Sequence, residues 1–471
     1  MNTKRTVKLT AILLALSLVL AGCSAGTVTK GTTAPTKAVT TSTVVPSATT
    51  TTVVPATTTV VPATTTTVPT VKPTAPPVSD PLAIKATDMM AGIKAKTVTD
   101  KDAAEERFVK AHTQFAVELL QGAVKAGNGN SVLVSPLSVQ LTLAMAANGA
   151  AGTTKTEMET VFGGIPMEEL NRYLYNYRVH LPTADAYKVM IANSLWINSG
   201  AGLNVPKAFL QTNADYYGAQ VYKSNFGKQT VTDMNNWVKK HTDGMIDTIA
   251  DDLDSKADML MLLNTLAFEA DWENTYGSQH VYTGTFTTEN GVQRSVKMMT
   301  NTEQMRYIND GEATGFAKDY KDGYYSFVAL LPNEGTTLDE YVAALTAEKV
   351  HNALNAGTMK VYAEIPKFAY ECDLDMNKLL SEMGMPTAFG SGADFSGLDT
   401  SGKGARLGEV LHKTHIEMSE EGTKAGAATS ARVTKGLRDV SVSLDRPFVY
   451  MIVDNTTYLP VFVGAVTDIG E

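Results

Sequence analysis

Residues 420–434 read Glu420-Glu421-Gly422-Thr423-Lys424-Ala425-Gly426-Ala427-Ala428-Thr429-Ser430-Ala431-Arg432-Val433-Thr434. Successive side chains of a β-strand point to opposite faces, so alternate positions can be compared. The odd-numbered positions from Thr423 to Val433 are small and uncharged, whereas the even-numbered positions include both charges, Lys424 and Arg432. As a strand, the segment would have one face suited to burial and one suited to solvent. A flexible Ala/Gly loop explains the small residues but not this separation of charge.

The chain around this segment has the patterns of an α+β protein. Apolar residues at helical spacing predict helices over 108–120, 137–147 and 235–249, the last interrupted at Gly244. Runs rich in β-branched and aromatic residues predict strands over 190–197, 325–331 and 361–368, and a terminal hairpin of 448–453 and 459–466. Helices dominate early and strands late, which indicates the α+β class. The length of 471 residues by itself favours two or more domains.

Composition and motifs exclude several functions. A chain that is 44% hydrophobic and 19% charged is globular, and a net charge of −9 argues against nucleic-acid binding. The sequence has no nucleophile elbow, zinc-protease motif or phosphate-binding loop, so no catalytic residue is predicted and a hydrolase is disfavoured. His412 and His415 point to opposite faces of an extended segment, so they do not share a metal. No cofactor is predicted.

Several segments together resemble one protein family. Glu420-Glu421-Gly422-Thr423 followed by Ala425-Gly426-Ala427-Ala428 resembles the hinge of the reactive-centre loop of an inhibitory serpin. Further matches follow in the order of the family, at 130–138, 148–154, 236–244, 263–268, 296–299, 365–368, 392–397, 412–413, 446–448 and 462–464. The resemblance covers residues 105–471. It implies one serpin domain with helices, three β-sheets and an exposed reactive-centre loop, in place of the two domains that length favours.

The resemblance also implies a mechanism. A target serine protease (a cysteine protease is a further possibility) attacks the loop as a substrate, and the cleaved loop then inserts as a strand into the central sheet and traps the acyl-enzyme. The hinge residues implied are Glu420, Gly422, Thr423, Ala425, Gly426, Ala427, Ala428 and Thr429. Lys424 departs from the acidic residue common at its position, and it lies on the outward face, where we expect it to be tolerated. The alternative is a non-inhibitory serpin that acts as a surface binding or scaffold module; bulky or charged hinge residues would mark it.

The scissile bond follows from the spacing of the family. Counting forward from Glu420 and backward from Pro447 places it at Gly436–Leu437. A glycine before the cut favours subtilisin-like or elastase-like proteases. A shift toward Lys435 or Arg438 would make the loop a target of trypsin-like proteases, and this alternative stays open.

Five further positions match structural sites of the family. Ser135, Ser138, Asn264 and His412 match the shutter region, where the central sheet opens, and Trp272 matches the aromatic residue at the breach, where insertion starts. Without the resemblance, Ser135 is a candidate helix N-cap and Trp272 a core residue.

The N-terminus has the features of an export signal. Residues 1–23 contain a positive region, a short apolar stretch and the tetrapeptide Leu20-Ala21-Gly22-Cys23. The tetrapeptide resembles the lipobox of bacterial lipoproteins, which implies cleavage before Cys23 and its lipidation; ordinary signal cleavage is the alternative. The protein would then be secreted and lipid-anchored at the outer face of a bacterial membrane, on the cell surface. Cys372 would have no disulfide partner and is expected to be buried.

A spacer follows the signal. Residues 24–80 contain 21 Thr and 8 Pro and no aromatic residue, so they cannot bury enough apolar area to fold. Extended polyproline geometry gives this linker a reach of about 180 Å. The predicted organisation is therefore a signal peptide over 1–23, a disordered linker over 24–80 and a monomeric serpin domain over 81–471.

Overall fold

The computed structural model describes residues 80–98, 105–253, 258–423 and 440–470, and in this part helices and strands are intermixed along the chain. The helices are α1 (Glu106–Gly127), α2 (Pro136–Ala147), α3 (Gly152–Val161), α4 (Met167–His180), α5 (Lys207–Tyr217), α6 (Lys228–His241), α7 (Leu338–Ala343), α8 (Ala347–Leu354) and α9 (Met376–Glu382). The α+β class predicted from the sequence is confirmed.

The described strands number sixteen. They are β1 (Thr87–Asp88), β2 (Val132–Val134), β3 (Tyr187–Asn198), β4 (Gln220–Ser224), β5 (Leu260–Asp271), β6 (Val281–Thr287), β7 (Gln293–Asn309), β8 (Ala313–Asp319), β9 (Tyr325–Pro332), β10 (Thr358–Pro366), β11 (Phe368–Asp373), β12 (Glu409–Met418), β13 (Gly422–Thr423), β14 (Val440–Ser443), β15 (Phe448–Asp454) and β16 (Leu459–Val466). The predicted strands correspond to β3, β9 and β10, the last prediction running into β11, and the predicted terminal hairpin is β15 with β16.

The strands form two hydrogen-bonded groups. The first sheet has the order β1-β4-β3-β5-β13-β12-β11, and β5 also pairs directly with β12. The second group has the order β14-β10-β7-β8-β9-β15-β16-β2, with β6 on β7. The long strand β7 joins two parts of that group, because residues 293–306 pair with β6 and β10 whereas residues 306–309 pair with β8. Counted separately, these parts and the first sheet make the three sheets that the resemblance implies.

Helix α2 is the central helix, and all 12 of its residues are buried. Ser135 caps it by accepting a hydrogen bond from the backbone N–H of Ser138 at 3.2 Å. Pro136 occupies the first turn, where no N–H is needed. The helix packs against β3, β5 and β16, so it lies between the two groups of strands.

The third predicted helix differs from the observed one. The prediction covers 235–249, but α6 runs over Lys228–His241. Asp243 and Gly244 adopt φ values of 49° and 77°, in the left-handed region, and this conformation ends the helix. The apolar residues that follow reach the core from an irregular segment.

Residues 80–98 pack on the edge of the first sheet. Strand β1 pairs antiparallel with β4, and the backbone N–H of Ala86 donates to the Asp233 carboxylate at 2.8 Å. Ile84 packs against an apolar cluster that includes Trp196 and Trp237. At the opposite edge, on β11, Cys372 is a buried free thiol, as predicted.

Candidate functional site

Strands β5 and β12 are neighbours that are joined over only part of their length. Their parallel pairing covers residues 261–264 of β5 and 409–412 of β12. Among the described residues, no strand pairs with the facing edges at 265–269 and 413–417. We refer to the space between these two edges as the slot. Unpaired N–H and C=O groups along two strand edges form a template for an additional strand.

The two-residue strand β13 occupies one end of the slot. Thr423 lies opposite Ala270 on β5 and opposite Met418 on β12, and β13 is antiparallel to both strands. The Thr423 side chain is buried, and its Oγ1 lies 2.7 Å from the hydroxyl oxygen of Tyr320. A Cβ atom at Gly422 would collide with the Ala270 carbonyl oxygen, so only glycine fits there. These two hinge residues are therefore already part of the sheet.

Two aromatic residues hold the segment that leads into β13. The backbone N–H of Trp272 donates to the carbonyl of Glu421 at 2.7 Å, and its indole Nε1 donates to the carbonyl of Ser419 at 3.1 Å. The backbone N–H of Tyr276 donates to the carbonyl of Glu420 at 2.9 Å. Trp272, the predicted breach residue, thus contacts the chain at the start of the hinge, on both sides of Glu420.

Glu420 forms an ion pair that ties the hinge to another strand. Its carboxylate lies 2.6 Å from Nζ of Lys367, the residue between β10 and β11. Burial alone would raise the pKa of the Glu420 carboxyl, but its hydrogen bonds and the charge of Lys367 hold the pKa below its ordinary value. The ionised pair therefore links the hinge to the edge of the first sheet.

A buried cation lies beside the breach. The ring of Trp272 stacks on Tyr320 with centroids 4.4 Å apart. Nζ of Lys318 lies 5.3 Å from the Trp272 ring and 4.9 Å from the Tyr276 ring, and it is ion-paired with Glu303. The Lys318 side chain is only 1% exposed, and this burial lowers its pKa while Glu303 opposes the shift. The aromatic rings and the ion pair together form the wall beside which β13 enters the sheet.

The four predicted shutter residues meet where β5 and β12 are joined. Ser135, Ser138, Asn264 and His412 are all buried. The backbone N–H of Ser135 donates to Nε2 of His412 at 3.2 Å, and the Ser138 hydroxyl donates to the Asn264 side-chain carbonyl. Asn264 lies directly opposite His412 in the strand pairing. The network connects the start of α2 to the last pair of residues before the slot.

Asn193 and Thr142 complete this network, and the sequence analysis missed both. The Asn264 amide donates to the Asn193 side-chain carbonyl at 2.6 Å, and the Thr142 hydroxyl donates to the same oxygen at 2.9 Å. Thr142 lies in the apolar segment that forms α2, and Asn193 lies in the apolar segment that forms β3. That pattern was a usable signal, because a buried polar group needs a hydrogen-bond partner.

His412 is kept neutral by its surroundings. Burial lowers its pKa from 6.5 to about 4. Because Nε2 accepts a hydrogen bond from Ser135, the neutral ring carries its proton on Nδ1, for which the described residues offer no partner. The buried ring therefore has no acceptor that would stabilise a second proton.

The two faces of the slot differ in chemistry. The face that carries the Thr423 side chain is buried and mostly apolar, with Phe268 and Leu266 on β5 and Ile416 on β12. On the other face, Glu269 is partly exposed and Glu417 is exposed. This difference matches the two faces that the alternation in residues 423–433 predicts.

Several predicted residues lie outside the described part of the chain. They are Ala425, Gly426, Ala427, Ala428 and Thr429 of the hinge, Gly436, Leu437, Lys435 and Arg438 around the scissile bond, and Cys23. Within the described ranges, no helix is long and apolar enough to span a membrane. The same ranges contain no cluster of three or more His, Cys, Asp or Glu side chains suited to a metal ion.

Comparison with known sequences identifies relatives of similar length. Residues 110–469 match the family model described as "Serpin (serine protease inhibitor)". Serpin B10 of Rhinolophus ferrumequinum is 27% identical over 392 residues, which cover 76% of this chain and 98% of that protein. A serpin-like protein of Thermococcus kodakarensis is 28% identical over 377 residues, which cover 77% of this chain and 86% of that protein.

Solved structures agree with these sequence matches. The thermophilic serpin tengpin in its native state has a TM-score of 0.77 at 40% identity, with 82% of this chain and 100% of that chain covered. Tengpin in its latent state has a TM-score of 0.70 at 41% identity, with 79% and 100% covered. Human thyroxine-binding globulin complexed with its hormone shares the fold, with a TM-score of 0.71 at 24% identity and with 78% and 100% covered.

Proposed function

The chain belongs to the serpin family, whose members are generally protease inhibitors rather than catalysts, and on that premise we propose that it is a suicide-substrate inhibitor of serine proteases. The observation that carries the proposal is β13, which lies between β5 and β12 at the mouth of an unfilled slot. The residues that follow it in sequence are small and carry charge on one face only. A chain built in this way can extend β13 along the slot.

The proposed mechanism begins at Gly436. The serine hydroxyl of the protease attacks the Gly436 carbonyl, the bond to Leu437 breaks, and the proton of the hydroxyl passes to the nitrogen of Leu437, which becomes a free amine. The C-terminal part of the chain stays bound through the buried strands β15 and β16. The protease stays attached to Gly436 as an ester while the freed arm extends β13. About 12 residues, each gaining about 1 kcal/mol net from strand hydrogen bonds, give a driving force on the order of 10 kcal/mol. That free energy equals the stability of a typical domain, enough to distort the bound enzyme before the ester is hydrolysed.

The buried face of the slot explains why the hinge must be small. Extending the register of Thr423 brings Ala425 between Phe268 and Ile416, both of which are buried. Burying an uncharged polar group without a hydrogen-bond partner costs about 2–7 kcal/mol. A charged side chain at position 425 would cost at least as much, because it would have to leave water to enter the slot. Slower insertion would let the ester hydrolyse, and the protein would become a substrate instead of an inhibitor.

The identity of the target follows from the residue before the cut. We propose subtilisin-like or elastase-like targets, because a glycine at position 436 suits neither a trypsin-like nor a chymotrypsin-like pocket. A cut beside Lys435 or Arg438 would indicate a trypsin-like target instead. We also propose that the protein is exported and anchored through a lipid on Cys23, with residues 24–80 as a tether at a bacterial surface, and that it acts as a monomer.

The test is incubation with subtilisin, elastase, trypsin and a cysteine protease, followed by denaturing gel electrophoresis and mass determination of the cut site. A covalent band of high mass with at least one protease supports the proposal. Complete cleavage without any such band would contradict it and would favour a non-inhibitory binding module.

The variant Ala425→Arg separates inhibition from cleavage. It should abolish the covalent band while the loop is still cut. Ala343→Arg makes the same chemical change at an exposed position of α7 and should retain the band. If the Ala425→Arg band persisted, trapping would not depend on insertion into the slot.

A further inference from the structure

Two tyrosines and one glutamate form a patch on one face of the second group of strands. Tyr282 lies on β6, and Tyr362 and Glu364 lie on β10. The hydroxyls of both tyrosines donate to the same Glu364 carboxylate oxygen, at 2.8 Å from Tyr282 and 2.9 Å from Tyr362. Because β7 lies between β6 and β10, the Tyr282 side chain reaches across β7, and all three side chains share one face. We refer to these three residues as the tyrosine patch.

The Tyr282 ring is held in place although it is 43% exposed. A Cβ atom at Gly284 would lie 3.2 Å from this ring and 2.6 Å from Cγ of Met298, so the glycine leaves room for both side chains. Met298 lies opposite Tyr282 on β7 and is buried. Burial and the hydrogen bond to Glu364 raise the pKa of the Tyr282 hydroxyl, which therefore stays a donor at neutral pH. An aromatic side chain that is already fixed loses little conformational entropy when a partner covers it.

The Glu364 carboxylate has a charge that the described residues do not compensate. It accepts hydrogen bonds from two neutral phenols, and no lysine or arginine within the described ranges forms an ion pair with it. The residues opposite it are Thr300 on β7 and Ser443 on β14, both uncharged. A cation supplied by a partner would meet both the carboxylate and the tyrosine rings, which attract cations. Arginine suits such a place best, because its planar guanidinium matches a carboxylate and stacks on aromatic rings.

The tyrosine patch lies beside the strand that follows the reactive-centre loop in sequence. Strand β14 pairs in parallel with β10, and Ser441 lies opposite Tyr362. The predicted scissile bond at 436–437 is only three residues before Val440, the first residue of β14. Three residues span at most about 11 Å, and a protease domain of about 220 residues has a radius of gyration of about 17 Å. A protease that holds this bond in its cleft is therefore large enough to cover the patch as well.

We propose that the tyrosine patch is a secondary docking surface for the target protease, where a lysine or arginine of the protease surface pairs with Glu364 and packs against Tyr282 and Tyr362. This inference rests on the proposed function, because the protease meets this face while it is bound to the loop. Tyrosine and arginine are enriched at the centres of protein interfaces. The patch adds a selection that the residue before the cut does not supply, since a protease with a basic surface beside its cleft would react faster.

The test is the second-order rate constant for cleavage of the loop by subtilisin, elastase and trypsin, measured with the full chain at low salt. For at least one of these proteases, Glu364→Gln should lower the constant about threefold to tenfold, as expected for an exposed charge pair. The loss should be smaller in about 0.5 M NaCl, because salt screens exposed charges. Tyr282→Ala should lower the constant at both salt concentrations.

Two matched variants control for the chemical change alone. Glu348→Gln removes an exposed carboxylate on α8, and Tyr458→Ala removes an exposed tyrosine at the turn between β15 and β16. Both should leave the rate constants unchanged. Melting temperatures show whether each variant is folded, and Glu364→Gln keeps the shape of the side chain if Tyr282→Ala destabilises the sheet.

Docking and insertion have separate readouts. The tyrosine patch lies outside the first sheet, so Glu364→Gln should slow the reaction without changing the fraction of protease that ends in covalent complex. Unchanged rate constants for Glu364→Gln with all three proteases, or an equal loss for Glu348→Gln, would overturn the docking surface while inhibition stands. If no protease is trapped, the proposed function fails, and the cleavage rate still decides: slower cleavage of Glu364→Gln supports the docking surface, and equal rates overturn it.

Discussion

Thr423 is the last described residue in the slot, and its hydroxyl has the Tyr320 hydroxyl as its partner. Both side chains are buried. The pair joins β13 to the aromatic wall beside the breach, where Tyr320 stacks on Trp272. A buried hydroxyl stabilises the folded protein only while its hydrogen-bond partner is present, because an unpartnered buried hydroxyl has lost its hydrogen bonds to water.

We therefore expect Thr423→Val, which keeps the shape of the side chain, to lower the free energy of unfolding by about 1–3 kcal/mol, because the Tyr320 hydroxyl stays buried without a partner. Chemical denaturation measures the change. The double variant Thr423→Val/Tyr320→Phe removes both hydroxyls and should recover part of the loss. Purely additive losses in the double variant would show that the two hydroxyls do not interact.

The buried neutral His412 predicts a pH dependence of stability. The unfolded chain takes up the histidine proton near pH 6.5, whereas the folded chain takes it up only near pH 4. The stabilising contribution is therefore complete above pH 6.5 and is lost as the pH falls toward 4, by up to about 3 kcal/mol. Denaturation at a series of pH values measures it. His412→Gln should flatten the profile in this window, and an unchanged slope would contradict a buried neutral ring.

At the scale of elements, β7 and β8 bring a buried ion pair against the breach. Glu303 lies on β7 and Lys318 on β8, and the ammonium faces the rings of Trp272 and Tyr276. Removing one member of a buried pair leaves the other charge uncompensated, whereas removing both leaves an apolar interface.

Glu303→Leu should therefore lower the free energy of unfolding by about 3–5 kcal/mol. Glu303→Leu with Lys318→Met should recover most of this loss, as measured by chemical denaturation. An equal loss in the double variant would mean that the lysine stabilises the wall through its contacts with the rings and not through the ion pair.

At the scale of the whole molecule, the described strands leave the facing edges of β5 and β12 unpaired beyond β13, and the proposed function fills this slot with one more strand. Filling the slot separates the direct pairs at 261–264 and 409–412 and replaces them with two new ladders. Cleavage of the loop should therefore make the molecule more stable, although a peptide bond has been lost.

We expect protein nicked between residues 434 and 439 to melt about 20 °C higher than intact protein, since about 10 kcal/mol of new strand pairing is gained at about 2 °C for each kcal/mol. Differential scanning calorimetry of nicked and intact samples measures the shift. Equal melting temperatures would contradict strand insertion and, with it, the proposed inhibition.

The α+β class, the strands β3 and β9 and the terminal hairpin could be predicted from the sequence, because their apolar periodicity is local. The family and the residues that meet at the shutter followed from the resemblance of ordered motifs. The end of α6 was predicted wrongly, since positive φ values at Asp243 and Gly244 interrupt a pattern that otherwise continues. The predicted scissile bond at Gly436–Leu437 and the lipid on Cys23 stay predictions.

The sequence by itself predicts that residues 423–433, as a strand, would have one face for burial and one for solvent, because alternation is a property of neighbouring residues along the chain. Only the tertiary structure decided which strands border the hinge. Strands β5 and β12, far apart in sequence, stand on either side of Thr423, with Ala270 and Met418 opposite it. Such a match depends on strand register, and register is set by contacts between distant segments that no local pattern records.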